Sequence, residues 1–325
     1  MKIAINGFGR IGRMTFRALQ NKTSIEVVAI NDLTDIPTLA HLLKYDTVHG
    51  RFPGEVSVDG DNIVVNGKPI KLISEKDPEK LPWGELGIDA VIESTGRFTT
   101  KTSAEAHLRA GAKKVLISAP AGTDVKTIVH GINNELIGGD QIYSTASCTT
   151  GGIAPILFVL DKEYGIESGY MATVHAFTSD QNLQDLPHRD LRRARAASFN
   201  IIPSTTGAAK AIGDVLTNLK GRLDGHSYRV PVLDGSIVDL SINLNTKVSV
   251  EDLNAMLKRY ADASLKGIME YTEEQLVSSD IIGNPHSSIV DATMTRTIGK
   301  MVKVVAWYDN EFGISNRISE LISLI

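Results

Sequence analysis

The chain has 325 residues, 42% hydrophobic and 22% charged, with a formal net charge of −4. That length allows two domains with separate cores, and the near-neutral balance gives no electrostatic ground for a nucleic-acid partner or an anionic membrane surface. No apolar run approaches the roughly 20 residues of a membrane span, and with no signal-type h-region and a single cysteine the expected setting is reducing and cytoplasmic.

Lys2 to Asn6 reads as a short apolar strand running straight into Gly7-Phe8-Gly9-Arg10-Ile11-Gly12, a G-x-G-x-x-G pattern, followed by a helical segment from Arg13 to Gln20. A second strand, Ile25 to Ile30, ends at Asn31-Asp32. Strand, glycine turn, helix, strand and acid is the full context of a dinucleotide-binding fingerprint. Gly7, Gly9 and Gly12 let backbone approach a pyrophosphate, and the helix N-terminus offers unpaired N–H groups to it. Asp32 would accept from the adenosine ribose hydroxyls and repel a 2′-phosphate, so NAD is expected over NADP. Ala90 to Glu93 leads into Ser94-Thr95-Gly96, and Lys114 to Ile117 into Ser118. Both place small or hydroxyl residues at strand carboxyl ends, where ligands of open parallel sheets sit. Thr102 to Ala110 reads as the helix between them, closed by Gly111. Glu55 to Asp59, Ile63 to Val65 and Ile70 to Ile73 read as an antiparallel insertion. His41, His49, His107 and His130 have no metal-ligand spacing; they are read as structural, and no metal is expected.

Cys148 is the chain's only cysteine, set in Ser147-Cys148-Thr149-Thr150-Gly151-Gly152 ahead of the apolar run Ile153 to Leu160. A lone thiol builds neither a disulfide nor a thiolate zinc site, but it can be a nucleophile. The start of a helix there would lower its pKa. Gly169 to Ala176 alternates as a strand and ends near His175, 27 residues after the thiol, the natural base to pair with it. Thr178 to Asn200 is rich in charge, including Arg192 and Arg193, and suits a phosphate. Ser204-Thr205-Thr206-Gly207 opens a helical segment from Ala208 to Leu219, a second anion site, and Arg229 is a further candidate. Ile237 to Leu244 reads as a strand, Glu251 to Ala263 as a helix and Val302 to Trp307 as the strand that closes a mixed or antiparallel sheet. His226 and His286 show no partner in the sequence. Ile314, Ile318, Leu321, Ile322 and Ile325 have helical spacing and are expected to dock on the first domain.

Ile5 to Arg13, Lys44 to Gly50, Ser147 to Thr150, Thr173 to Ala176, Asp190 to Arg195, Thr206 to Lys210 and Trp307 to Glu311 together closely resemble phosphorylating glyceraldehyde-3-phosphate dehydrogenases over the whole length. The resemblance implies an α/β chain with a Rossmann-type NAD-binding domain, 1–147 plus a C-terminal helix at about 311–325. An α+β catalytic domain would occupy 148–310. It implies a cytoplasmic homotetramer acting on triose phosphate and inorganic phosphate, with no nucleic acid or membrane as partner. By similarity Cys148 attacks the aldehyde, His175 is the base and a thioester is resolved by phosphate. Arg10, Ile11, Asp32, Lys76, Ser94, Thr95, Gly96, Ser118 and Asn310 would hold NAD, Asn310 through the carboxamide. Thr178 with Arg192 or Arg193, the latter favoured, would hold one phosphate. Ser147, Thr149, Thr206 and Gly207 would hold the other, with Arg229 near both.

The family usually has Asn-Cys where this chain has Gly151-Gly152, and Trp and Tyr where it has Phe312 and Ile314. Those changes spare the thiol and base and bear on cofactor affinity, nicotinamide orientation and aldehyde specificity. Two alternatives remain: a relative oxidising erythrose 4-phosphate, with hydrolysis of the thioester, and a silent NAD-binding regulator. The phosphate-site hydroxyls argue against the first, and an intact Cys148/His175 pair against the second.

Overall fold

The computed structural model describes residues 1–325 and divides them into two compact units. The first comprises Met1–His130, Asn134–Ala146 and Ser315–Ile325; the second comprises Gly131–Asn133 and Ser147–Ile314.

The first unit carries β1 (Lys2–Asn6), α1 (Arg10–Leu19), β2 (Glu26–Asn31), α2 (Ile36–Lys44), β3 (Val56–Asp59), β4 (Asn62–Val65) and β5 (Lys68–Ile73). It continues with α3 (Trp83–Leu86), β6 (Ala90–Glu93), α4 (Lys101–Arg109), β7 (Lys114–Ile117), β8 (Lys126–Thr127) and β9 (Ile142–Ser144). Its nine strands form one sheet in the order β3-β4-β5-β2-β1-β6-β7-β9-β8. From β5 to β8 the strands run parallel, and β1 from Ile3 on and all of β6 are buried, the continuous pattern of strands enclosed on both faces. The β3–β5 insertion is antiparallel internally, while β5 pairs in parallel with β2 and so extends the main sheet. Helix α1 begins at Arg10, three residues earlier than the sequence pattern indicates, and no side chain caps it. The helix α2 lies outside the sequence reading altogether; Asp35 caps it by accepting from the Thr38 N–H at 2.9 Å.

The second unit contains α5 (Cys148–Tyr164), β10 (Ile166–Ala176), β11 (Ile202–Ser204), α6 (Ala208–Val215), β12 (Leu223–Val230), β13 (Ser236–Leu244) and α7 (Val250–Asp262). Then come β14 (Met269–Thr272), β15 (Ser288–Asp291), β16 (Arg296–Ile298) and β17 (Met301–Tyr308). The mixed sheet runs β11-β12-β10-β13-β17-β15-β14, with β16 on β17. The strand 302–307 therefore does not close this sheet. Beyond it lies β15, whose four residues are all buried, a pattern too short to read as a strand. The predicted helix 208–219 ends at Val215 and tightens into a 3₁₀ turn over Thr217–Leu219. Helix α8 (Phe312–Leu321) follows, with its residues from Ser315 on belonging to the first unit, and Ile318, Leu321 and Ile322 are buried. No helix is long and apolar enough to cross a membrane.

Candidate active site

In the second unit, Cys148 is the first residue of α5, and Ser147 caps it by accepting from the Thr150 N–H at 3.0 Å. Just before the cap, Ala146 sits in the left-handed region at φ 63°, a strained turn that costs a non-glycine residue about 1 kcal/mol. Strand β10 then returns beside the helix, and its eleven residues bring His175 Nε2 to 3.4 Å from Cys148 Sγ. Parallel pairing of β12 with β10 sets Arg229 opposite His175 in register.

Three groups meet at the Ala176 carbonyl. His175 Nδ1 is 2.6 Å from that oxygen, Arg229 Nη1 is 3.0 Å from it, and the two nitrogens are 2.9 Å apart. Arginine can only donate. If it donated to Nδ1, the imidazole lone pair would face the carbonyl oxygen at 2.6 Å. The satisfied arrangement has both nitrogens donating to the carbonyl, so Nδ1 carries the proton and Nε2 turns its lone pair to the sulfur.

Burial first, and then the Arg229 charge, push His175 down to about 3. Burial also pushes the Cys148 thiol up, although part of the residue stays accessible; Arg229 and hydrogen bonds from Thr149 pull the other way. The expectation that the helix end sets the thiol low is thus corrected. Desolvation outweighs the pull of Arg229 and Thr149, and the resting pair is thiol and neutral imidazole.

Beneath this pair the buried Tyr308 hydroxyl links Thr149 Oγ1 at 3.0 Å to Thr173 Oγ1 at 2.9 Å. The Thr149 hydroxyl is therefore engaged in the floor. The Tyr308 ring meets His175 edge-on at 5.8 Å. Sequence reasoning missed Tyr308, because nothing in one strand reveals what its far end touches. Asn310 is buried, and its Oδ1 accepts from Ser236 Oγ at 2.6 Å.

Of the two adjacent arginines, Arg192 is exposed, whereas Arg193 is half-buried, donates to Ser204 Oγ at 2.7 Å and pairs with Asp180. Thr178 follows β10 and is tied to Gln181. Gly207 starts α6 with no side-chain cap, and a Cβ there would meet nothing within 4 Å. His226 and His286 do have partners: His286 bonds Asn284 and pairs with Glu270, and His226 packs on Tyr228.

In the first unit a cleft of about 460 Å³ opens at the carboxyl ends of β1, β2 and β6. Gly7, Gly9, Asp32, Lys76, Ser94 and Thr95 line it. The glycines have distinct reasons. Gly7 is at φ 93°, and a Cβ there would lie 2.7 Å from the Thr95 nitrogen; a Cβ on Gly12 would lie 2.1 Å from the Gly7 oxygen. Gly9 has open space instead, which leaves its backbone accessible from the cleft. The Arg10 side chain is engaged by Asp46. Asp32 accepts from the Phe8 N–H at 2.7 Å and the Thr34 N–H at 2.9 Å, which fixes its carboxylate at the rim. Ile11 follows in the first turn of α1, Gly96 follows Thr95 at φ 71°, and Ser118 follows β7.

Residues 147–310 match the family model of the C-terminal domain of glyceraldehyde 3-phosphate dehydrogenase, and residues 1–101 match that of its NAD-binding domain. The chain belongs to the glyceraldehyde-3-phosphate dehydrogenase family. It is 56% identical over 328 residues to the glyceraldehyde-3-phosphate dehydrogenase of Geobacillus stearothermophilus, covering 100% of this chain and 98% of that one. The enzymes of Mycobacterium avium and Bacillus subtilis (in the latter, glyceraldehyde-3-phosphate dehydrogenase 1) are each 54% identical with the same coverage.

The first unit accordingly contains an NAD-binding domain. The cleft fits that cofactor: a glycine whose missing side chain leaves an open cradle, an uncapped helix N-terminus and a rim carboxylate suit a pyrophosphate and a ribose diol.

Proposed function

We propose that the protein oxidises D-glyceraldehyde 3-phosphate with NAD and inorganic phosphate to 1,3-bisphosphoglycerate through a thioester on Cys148. Family membership supports the reaction, and the observation that carries the mechanism is the 3.4 Å approach of Cys148 Sγ to an imidazole nitrogen with its lone pair free of other work. Bound NAD supplies the hydride acceptor. Cys148 adds to the aldehyde carbon while Nε2 takes the thiol proton and hands it to the new oxygen, giving a hemithioacetal. Nε2 then removes the hydroxyl proton as the hydride departs, and the carbon becomes a thioester. A phosphate oxygen attacks that carbonyl, the C–S bond breaks, and the sulfur recovers its proton from the imidazolium.

In this reading Thr178, Arg193 and Arg229 take the substrate phosphate, with exposed Arg192 outside the contact. Ser147, the Thr149 backbone, Thr206 and Gly207 take the attacking phosphate. Asn310 meets the cofactor carboxamide. The protein works as a cytoplasmic homotetramer. The segment after β10 supports association: Leu183, Leu191 and Phe199 are 68%, 82% and 87% exposed, apolar surface that a partner subunit would cover.

The test is NADH formation from glyceraldehyde 3-phosphate with and without phosphate or arsenate. Multiple turnovers should need one of those anions. A rate indifferent to both would place the protein with thioester-hydrolysing relatives that act on erythrose 4-phosphate.

A further inference from the structure

The three strands flooring the NAD cleft end in polar residues at one register: Asn31 on β2 and Glu93 on β6 each pair with Asn6 on β1. Their side chains form a continuous buried row. Asn31 Nδ2 donates to Asn6 Oδ1 at 2.7 Å, and Asn6 Nδ2 donates to Glu93 Oε2 at 2.5 Å. At one end the row is pinned to backbone, since Asn31 exchanges hydrogen bonds of 2.9 Å with the Glu75 carbonyl and N–H. At the other end His107 Nε2 sits 3.0 Å from Glu93 Oε2, and Trp83 Nε1 sits 3.0 Å from His107 Nδ1. An indole can only donate, so His107 Nδ1 keeps its lone pair and Nε2 donates to Glu93. His107 and Trp83 have no accessible surface at all. They come from α4 and α3, and neither lines the cleft.

The far oxygen of Glu93 holds a residue of the cleft lining. Oε1 accepts from the Thr95 N–H at 2.8 Å and from the Thr95 hydroxyl, and Thr95, Asn6 and Asn31 all line the cleft. A carboxylate with this many donors is held rigidly, and a buried acceptor that loses one of them relaxes towards the others.

We propose that His107, oriented by Trp83, is a positioning residue for the cofactor: it fixes the Glu93 carboxylate and through it the Thr95 turn and the Asn6–Asn31 row that receive NAD. This rests on the reading of the first unit as the NAD site and assigns that site its supporting residues. Removing His107 allows Glu93 to swing, and the lining groups then lose their preset directions.

The experiment titrates NAD into the full-length protein and into His107→Leu, His107→Gln and Trp83→Phe, with steady-state kinetics alongside. In His107→Leu the NAD dissociation constant and KM should rise about tenfold, with the aldehyde KM and the alkylation rate of Cys148 held within about twofold. His107→Gln, which can still donate to Glu93, should recover to within about threefold of the parent, and Trp83→Phe should weaken NAD about threefold. A ¹⁹F label on Trp83, one of only two tryptophans, should shift on NAD addition in the parent and stay still in His107→Leu. Unchanged NAD affinity in folded His107→Leu, a parallel rise of both KM values, or a glutamine variant as weak as the leucine one overturns the assignment. If the leucine variant does not fold, undiminished NAD affinity in Trp83→Phe overturns it. Failure of the parent protein itself to bind NAD would instead overturn the reading of the cleft.

Discussion

Ser236 Oγ donates to Asn310 Oδ1 over 2.6 Å and also accepts from the Ala176 N–H at 3.1 Å. With its carbonyl occupied, the Asn310 amide can present only its NH₂ edge, the donor a carboxamide oxygen requires. Ser236→Ala frees the amide to rotate and leaves the Ala176 N–H without that acceptor. The KM for NAD should rise about fivefold, the cost of one lost net hydrogen bond, while alkylation of Cys148 is unaffected. Steady-state kinetics with NAD varied decides it; an unchanged KM would remove Ser236 from the account.

Arg229 lowers both members of the reacting pair. In Arg229→Leu the thiol should move further up and His175 back towards its ordinary range. Iodoacetamide alkylation at pH 7 should slow by about tenfold for each unit the thiol rises. In the parent, with the imidazole at about 3, the alkylation rate between pH 5 and 8 should climb as one limb. A plateau beginning near pH 6 would mean an imidazolium–thiolate pair at rest and would contradict the neutral pair described above.

Asp309 is buried against Asp234, and burial first, then that neighbour, raises its carboxyl to about 7. A carboxyl raised on folding stabilises below its unfolded value and loses that stabilisation as pH rises through its folded value. Between pH 6 and 8 the loss is about 1.4 kcal/mol, or about 3 °C in Tm. Asp234→Asn can still accept from the Gly235 N–H and donates to Asp309 at any pH. Its melting curve should therefore be flatter over that range and its Tm higher at pH 8, as differential scanning calorimetry would show.

What was legible in the sequence was whatever depends on backbone. The glycine turn could be read because Gly7 and Gly12 answer to close approaches within one strand–helix–strand unit. The pairing of Cys148 with His175 was legible because a single helix joins their elements. The Ser236–Asn310 bond, the Tyr308 floor and the Glu93–His107–Trp83 anchor were not, since each joins residues from separate elements whose spacing carries no period. The state of the thiol is not legible for a related reason: a helix terminus is visible in sequence, whereas the burial that raises the thiol comes from the packing of separate elements.

The glycines in place of the family's usual Asn-Cys can be tested for stability. A Cβ on Gly151 would meet nothing within 4 Å, whereas one on Gly152 would touch the Tyr308 ring at 3.4 Å. Gly151→Ala in the first turns of α5 should stabilise the protein by about 0.5–1 kcal/mol, measured as a higher urea midpoint with unchanged slope. Gly152→Ala should gain less or nothing.

In the proposed reaction Cys148 carries the oxidised substrate as a thioester. Intact-protein mass spectrometry after mixing with glyceraldehyde 3-phosphate and NAD, without phosphate, should show a single phosphoglyceroyl adduct that peptide mapping places on Cys148 and that added phosphate discharges. NADH formed with no adduct, or an adduct indifferent to phosphate, would contradict the account.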